Sequence, residues 1–368
     1  MSTALDSARD LYSTIAANAE RTSPEPVPTE TVEALTEAGL HAIATPREVG
    51  GSELTLVEQM DVLAEVARAD GSAGWCLLAN SSTIAFFGAW AGDGFAEKLF
   101  ADGVPLAAGQ FAPNGVAVPE DGGYRLTGDY QFGSGIAHSS WAGAGTITEE
   151  PEGTDPRFLF ALMPVADIEL RGNWGVLGLE STASYDYAVR DVHVTEEATF
   201  DFFAPVRRRG GPTYDLGVMC LTAVGHAGFA LGVIRRVLDE LVEVARTKHR
   251  MGAATPLKES DRFVYAVGQL ESRFRAAKAW VHEAASAAEA SVAGGGEPDL
   301  SAITACRQAS VFVSQQGADI AREAYLLAGT TALRDGPLQR GFRDLHAGSQ
   351  HFFASDAATL DLGRELLA

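Results

Sequence analysis

Cysteine is scarce. Cys76, Cys220 and Cys306 are the only three in 368 residues, and they stand far apart. An odd, scattered set excludes a disulfide framework and a clustered zinc site, and it fits reduced thiols in a cytoplasm. Basic residues are also few: Lys and Arg total 28 against 49 Asp and Glu, a formal net charge of −21. Such a surface repels phosphate backbones, so nucleic acid is not an expected partner. The N-terminus, MSTALDSARD, carries acids and has no apolar core, so no secretory signal is expected. Common cofactor and nucleophile signatures are missing as well. GAGTIT (143–148) has only two of the glycines of a dinucleotide fingerprint, and no GxxxxGK[ST], HExxH or GxSxG occurs.

What is there begins with an ordinary globular balance, 46% hydrophobic and 21% charged residues, over a length that predicts two or three domains. One run, LGVMCLTAVGHAGFALGVI (216–234), is long enough to cross a membrane. It is rich in Gly and Ala, holds His226 at its middle, and continues into the charged helical RRVLDELVEVARTK. A helix buried within a bundle is therefore expected, with no membrane contact.

The chain divides into three textures. Residues 1–103 read as helices: TETVEALTEAGL has Thr29 or Thr31 as a start and Gly39 as a stop, and LTLVEQMDVLAEVARAD sets Leu56, Met60, Leu63 and Val66 on one face. Residues 104–205 read as short strands between turn signals, with a hairpin at EDGGYRL. From 206 to 368 the helical period returns, with helices expected at 215–248, 258–291 and 300–328. The loop VAGGGEPDLS (292–301) offers Asp299 or Ser301 as a cap. The fold class is α+β: an N-terminal helical domain, a central β-barrel or sandwich, and a C-terminal four-helix bundle.

Near the C-terminus, FRDLHAGSQHFFAS (342–355) holds His346 and His351. On a helix these would lie about 140° apart, so they do not converge on one ion and no metal site is expected.

Five segments in order carry a resemblance. LTEAGLHAIATPREVGG (35–51), ADGSAGW (69–75), LTGDYQFGSGIAHSSW (126–141), LGLESTASYDYAVRDVHV (177–194) and PLQRGFRDLHAGSQHF (337–352) together resemble the acyl-CoA dehydrogenase superfamily, and within it the two-component flavin-dependent monooxygenases. That likeness implies an oxygenase component using reduced FMN or FAD, supplied by a separate NAD(P)H:flavin reductase. It implies O2 addition to give a flavin C4a-hydroperoxide, and oxygen transfer to a small, aromatic or heteroatom-bearing substrate. It also implies a homotetramer built on the long C-terminal helices.

The same likeness assigns residues. A dehydrogenase takes an acyl α-proton with a carboxylate; in many members a Glu stands where this chain has Phe352, and no acid occurs in LHAGSQHFFAS. His351, one place earlier, is implied as the catalytic group that deprotonates or hydrogen-bonds the substrate, a role suited to an imidazole. Ser134 is implied as the hydroxyl beside the flavin ring, with Gly135, Ser139, Ser140 and His138 near it, and Gln110 and Phe111 from the neighbouring strand. In RTKHRMG (246–252), Lys248 and Arg250 stand where cations meet a flavin phosphate. Trp75, Asn80 and Phe352 are candidate substrate walls. Glu180 stands where the family often has Arg. Two other readings stay open: a dehydrogenase-like flavoprotein oxidising an acyl thioester, and a flavin-less member that binds or cyclises its ligand.

Overall fold

The computed structural model describes residues 3–22, 25–249, 252 and 255–367. Helices α1 (Thr3–Thr22), α2 (Thr29–Glu37), α3 (Leu56–Ala69), α4 (Gly71–Trp90) and α5 (Asp93–Leu99) come first. Thr55 starts α3 with a capping box: its hydroxyl accepts from the Glu58 N–H at 3.3 Å, and the Glu58 carboxylate accepts from the Thr55 N–H at 3.1 Å. Leu56, Met60, Leu63 and Val66 are all buried, as their spacing predicts. Asp70 caps α4, accepting from the N–H groups of Ser72 and Ala73. Of the two candidate starts for α2, Thr29 opens the helix and Thr31 is buried inside it.

Seven strands follow: β1 (Ala107–Glu120), β2 (Gly123–Gly133), β3 (Trp141–Thr148), β4 (Phe158–Pro164), β5 (Glu169–Leu170), β6 (Tyr185–Thr195) and β7 (Thr199–Asp201). They form one sheet in the order β5-β6-β2-β1-β3-β4-β7, antiparallel except for β1 against β3. The expected hairpin joins β1 to β2: Glu120 pairs with Gly123, and Gly122 takes the left-handed turn position at φ 76°. One end of the sheet meets α4 through an aromatic cluster that includes Phe86, Phe87, Trp90, Phe160 and Phe200.

The C-terminal helices are α6 (Gly217–Thr247), α7 (Asp261–Val292), α8 (Leu300–Ala328), α9 (Pro337–Gly348) and α10 (Ala357–Leu367). Asp299 caps α8, accepting from the Ser301 N–H at 2.9 Å. The long apolar run falls on α6, which is buried against α3 and α8. Its glycines have a packing purpose. A Cβ at Gly228 would stand 2.9 Å from the Leu63 Cβ and from the Met60 carbonyl, and one at Gly232 would strike the Ala64 carbonyl. The composition that suggests a membrane span is that of a helix whose backbone lies almost on its neighbour's. The three cysteines are buried and free.

Candidate active site

Strand β2 ends in a tight loop that no long side chain could follow. Gly135 has φ +74°, and a Cβ there would sit 3.1 Å from the Asn80 Oδ1. Its N–H donates to the Thr182 carbonyl at 3.1 Å, tying the loop to the segment before β6. Ser134, just before it, is buried in a chain of hydroxyls. Its Oγ lies 2.8 Å from the Ser184 Oγ, and Ser184 lies 2.7 Å from the Thr182 Oγ1. The Trp75 indole, on α4, donates to the Ser134 Oγ at 3.0 Å.

Trp75 joins two halves of the site. One edge holds Ser134; the ring meets His351 at 5.5 Å between centroids, His226 at 5.2 Å and Phe229 at 4.8 Å, all edge-on. His351 follows α9 and caps a short helical turn, its Nδ1 accepting from the Phe353 N–H at 3.3 Å. With Nδ1 used as an acceptor, the neutral ring carries its proton on Nε2 and is a donor there. Burial first, and then His226, push the His351 pKa well below the ordinary histidine value. Burial also lowers His226 to about 4, opposed in part by its bond to the Thr222 carbonyl. Both rings are thus neutral near pH 7.

The surroundings of Ser134 show backbone strain. Phe132, Leu179 and Ala183 all have positive φ without being glycine, at 59°, 57° and 44°. Such residues persist only where the structure over-determines them, and they gather at functional sites. Phe132 is 56% exposed and meets Trp174 edge-on at 6.0 Å. An uncovered aromatic platform beside a row of hydroxyls, with glycine backbone between, suits a planar ring system with polar edges. The residues present therefore fit a flavin.

The loop carrying Leu179 is gripped from α9. Asp344 accepts from the Leu179 N–H at 2.6 Å, and Arg343 bridges to Glu180 at 2.6 Å. Burial, with Asp70 nearby, raises the Asp344 pKa to about 7. Glu180, which departs from the family pattern, is thus matched by its own arginine.

Other expected site residues have partners of their own within the chain. Phe352 is 63% exposed, because the turn capped by His351 points the next ring, Phe353, inward instead. Phe353 lies 5.6 Å from His351 and 5.4 Å from His226. Phe111 turns into the aromatic core, 4.5 Å from Phe160, away from the Ser134 loop. The Lys248 Nζ donates to the Ala328 carbonyl at 2.5 Å and to the Thr331 hydroxyl at 2.8 Å, closing the end of α8. Arg250 lies outside the described residues. Asn80 is a tether: its amide donates to the Ala107 carbonyl at 2.9 Å and to the Ser139 Oγ at 3.2 Å, leaving no donor for a substrate. Ser139 in turn donates to the Gly135 carbonyl at 3.0 Å. Gln110 accepts from the Gln131 N–H and the Asn114 amide, each at 3.0 Å, so its side chain braces β1 against β2. His346 donates from Nδ1 to the Phe342 carbonyl at 2.7 Å and stacks on that ring, apart from His351. Thr182, Ser184, His226 and Asp344 lie against the candidate residues and were not singled out as site residues from the sequence. For His226 a signal was there, a lone imidazole in an apolar helix; for the hydroxyls there was none.

Comparison with known proteins identifies the family. Family models for the acyl-CoA dehydrogenase N-terminal domain and C-terminal domain match residues 2–92 and 224–356. A pigment production hydroxylase of Rhodococcus sp. is 30% identical over 390 residues, covering 98% of this chain and 95% of that protein. An indole-3-acetate monooxygenase of Pseudomonas putida is 26% identical, covering 91% of this chain and 85% of that one. Among solved structures, the 3-HSA hydroxylase from Rhodococcus sp. superposes with a TM-score of 0.91 at 24% identity, over 100% of this chain and 97% of that one. XiaF from Streptomyces sp., in complex with FADH2 and glycerol, gives 0.88 at 22% identity, over 99% and 94%. The chain belongs to the acyl-CoA dehydrogenase superfamily, where it is the oxygenase component of a flavin-dependent monooxygenase.

Proposed function

We propose that the chain oxygenates a small aromatic substrate bearing a hydroxyl, and that His351 holds that oxygen. The observation that carries this is the continuous contact from Ser134 through Trp75 to His351. It sets a hydroxyl suited to the flavin edge and a histidine suited to the substrate on two sides of one indole. When bound, reduced flavin supplies the electrons and the reactive carbon that O2 needs. The protein supplies placement: Phe132 and Trp174 offer the ring a face, and Ser134 a hydroxyl at its edge. His351 presents Nε2–H to the substrate hydroxyl oxygen, which accepts it, so a phenol or its anion is steadied by a neutral donor. Trp75, Phe229 and Phe353 keep bulk water from this donor.

Among the described residues around position 352, the dehydrogenase alternative finds no free carboxylate. Position 352 is an exposed phenyl ring, and Asp356 is exposed and held by Gln315. Asp344 is committed to Leu179. We further infer a cytoplasmic homotetramer served by a flavin reductase. Exposed Val264 and Tyr265 on α7 and Leu360, Leu366 and Leu367 on α10 support assembly through the helical domain.

The test is turnover with NADH, a flavin reductase and a panel of indoles and phenols, comparing wild type with His351→Gln. Substrate-dependent product formation is expected to fall on the order of a hundredfold or more in the variant, while peroxide release continues. Equal product yield from both proteins would refute the role of His351. Bleaching of bound flavin by an acyl-CoA, without O2, would refute the oxygenase reading.

A further inference from the structure

His226 has no part in the chemistry proposed above, yet it is the ring packed on His351. The two imidazoles lie 4.3 Å apart between centroids and are tilted by 32°. Their backbone partners set opposite tautomers. The His226 Nδ1 faces the Thr222 carbonyl at 2.9 Å; a carbonyl only accepts, so Nδ1 carries the proton and Nε2 keeps a lone pair. In His351 the order is reversed, with Nδ1 accepting from the Phe353 N–H. Trp75 and Phe353 touch both rings and close them in.

A hollow of about 10 Å³ adjoins His226, lined among others by Trp75, Ser314 and Ser349. The Ser314 Oγ donates to the Ser310 carbonyl and the Ser349 Oγ to the His346 carbonyl, so both oxygens keep lone pairs for a donor in that hollow. It is the size of one water with polar partners.

We propose that His226 is a positioning residue for His351: it fixes the plane of the His351 ring by stacking, and the two imidazoles accept one proton as a unit, on His226. This rests on the reading that His351 holds the substrate. The physical reason is that two imidazolium rings in face contact, away from bulk water, repel each other strongly. Among the described residues that line the hollow or touch the rings, none offsets that charge. From α4 the neighbour is Trp75, from α8 Ser314, from α9 Leu345, Gly348 and Ser349, and from the following turn Phe353; none is charged. A proton arriving by way of the hollow settles on His226, whose Nδ1–H is already held by Thr222. His351 stays neutral and keeps Nε2–H for the substrate.

The experiment is a pH titration of the flavin-free protein labelled with 13C and 15N in histidine, with the two rings assigned from His226→Asn and His351→Asn. The expected spectrum at pH 7 shows His226 protonated on Nδ1 and His351 on Nε2. In acid one ring, His226, protonates before the other. In His226→Asn the His351 midpoint moves upward, and kcat falls about tenfold to a hundredfold, as for other partners that orient a working group, with KM for the substrate held. The same tautomer on both rings of the wild type overturns the proposal without any variant at 226. An unmoved His351 midpoint in His226→Asn overturns the one-proton pair. The titration uses no substrate and no flavin, so its outcome is separate from whether His351 acts in turnover.

Discussion

Asp344 makes stability depend on pH in a direction opposite to that of most carboxylates. It is buried, accepts one bond from the Leu179 N–H at 2.6 Å, and has a pKa raised from 3.8 to about 7. Below pH 4 the carboxyl is protonated in both folded and unfolded chains. Between about 4 and 7 the unfolded chain releases the proton and the folded chain keeps it, so stability falls as pH rises through that window. A gap of about three pH units corresponds to roughly 4 kcal/mol at most, since one unit is about 1.4 kcal/mol. Asp344→Asn keeps an oxygen to accept from Leu179 and cannot ionise. Its stability relative to wild type is expected to rise from pH 4 to pH 8 by up to about 4 kcal/mol. Asp344→Ala leaves the Leu179 N–H unpaired and is expected to cost about 1–3 kcal/mol at pH 5. Urea unfolding followed by tryptophan fluorescence across pH 4–8 measures both. Parallel stability curves for wild type and Asp344→Asn would refute the reasoning, because a carboxyl already ionised at pH 5 carries no such slope.

Other predictions follow from the same contacts. Lys248→Met removes the donor that closes α8 and is expected to lower stability by about 1 kcal/mol while leaving flavin affinity within twofold; an affinity loss of tenfold or more by fluorescence titration would restore Lys248 as a phosphate ligand. Phe352→Ala is expected to leave the melting curve nearly unchanged, whereas Phe353→Ala costs about 3–5 kcal/mol, since only the second ring is buried. Ser134→Ala strips the buried Trp75 indole of its acceptor at a cost of about 1–3 kcal/mol, and is expected to weaken reduced-flavin binding in anaerobic titration; unchanged affinity would remove Ser134 from the flavin edge.

How far the sequence reaches can be read from particular residues. The spans of α6 and α8, the β1–β2 hairpin and a cap at Asp299 or Ser301 were legible because each rests on local rules: a period, a two-residue turn, a side-chain oxygen at a helix start; the structure chose Asp299. The absence of a carboxylate around position 352 and the presence of His351 were legible too, since they are matters of order along the chain. That Phe352 faces out while Phe353 faces in was not, because a single short turn after α9 decides it.

Lys248 and Asn80 teach the same lesson from the other side. A basic residue at a helix end and an amide in an apolar helix both look available for a ligand in one dimension. In three dimensions each is held by one backbone carbonyl and one side-chain hydroxyl, and a buried carbonyl is costly to leave unpaired. The composition and order of this chain determined its three-part architecture, its superfamily and the imidazole at 351. Only the tertiary structure decided that Trp75 would join Ser134 to that imidazole, and that His226, 125 residues earlier in sequence, would lie against it. Hydrophobic periodicity says which face of a helix is buried; which partner it meets depends on how distant elements pack, and no local pattern encodes that.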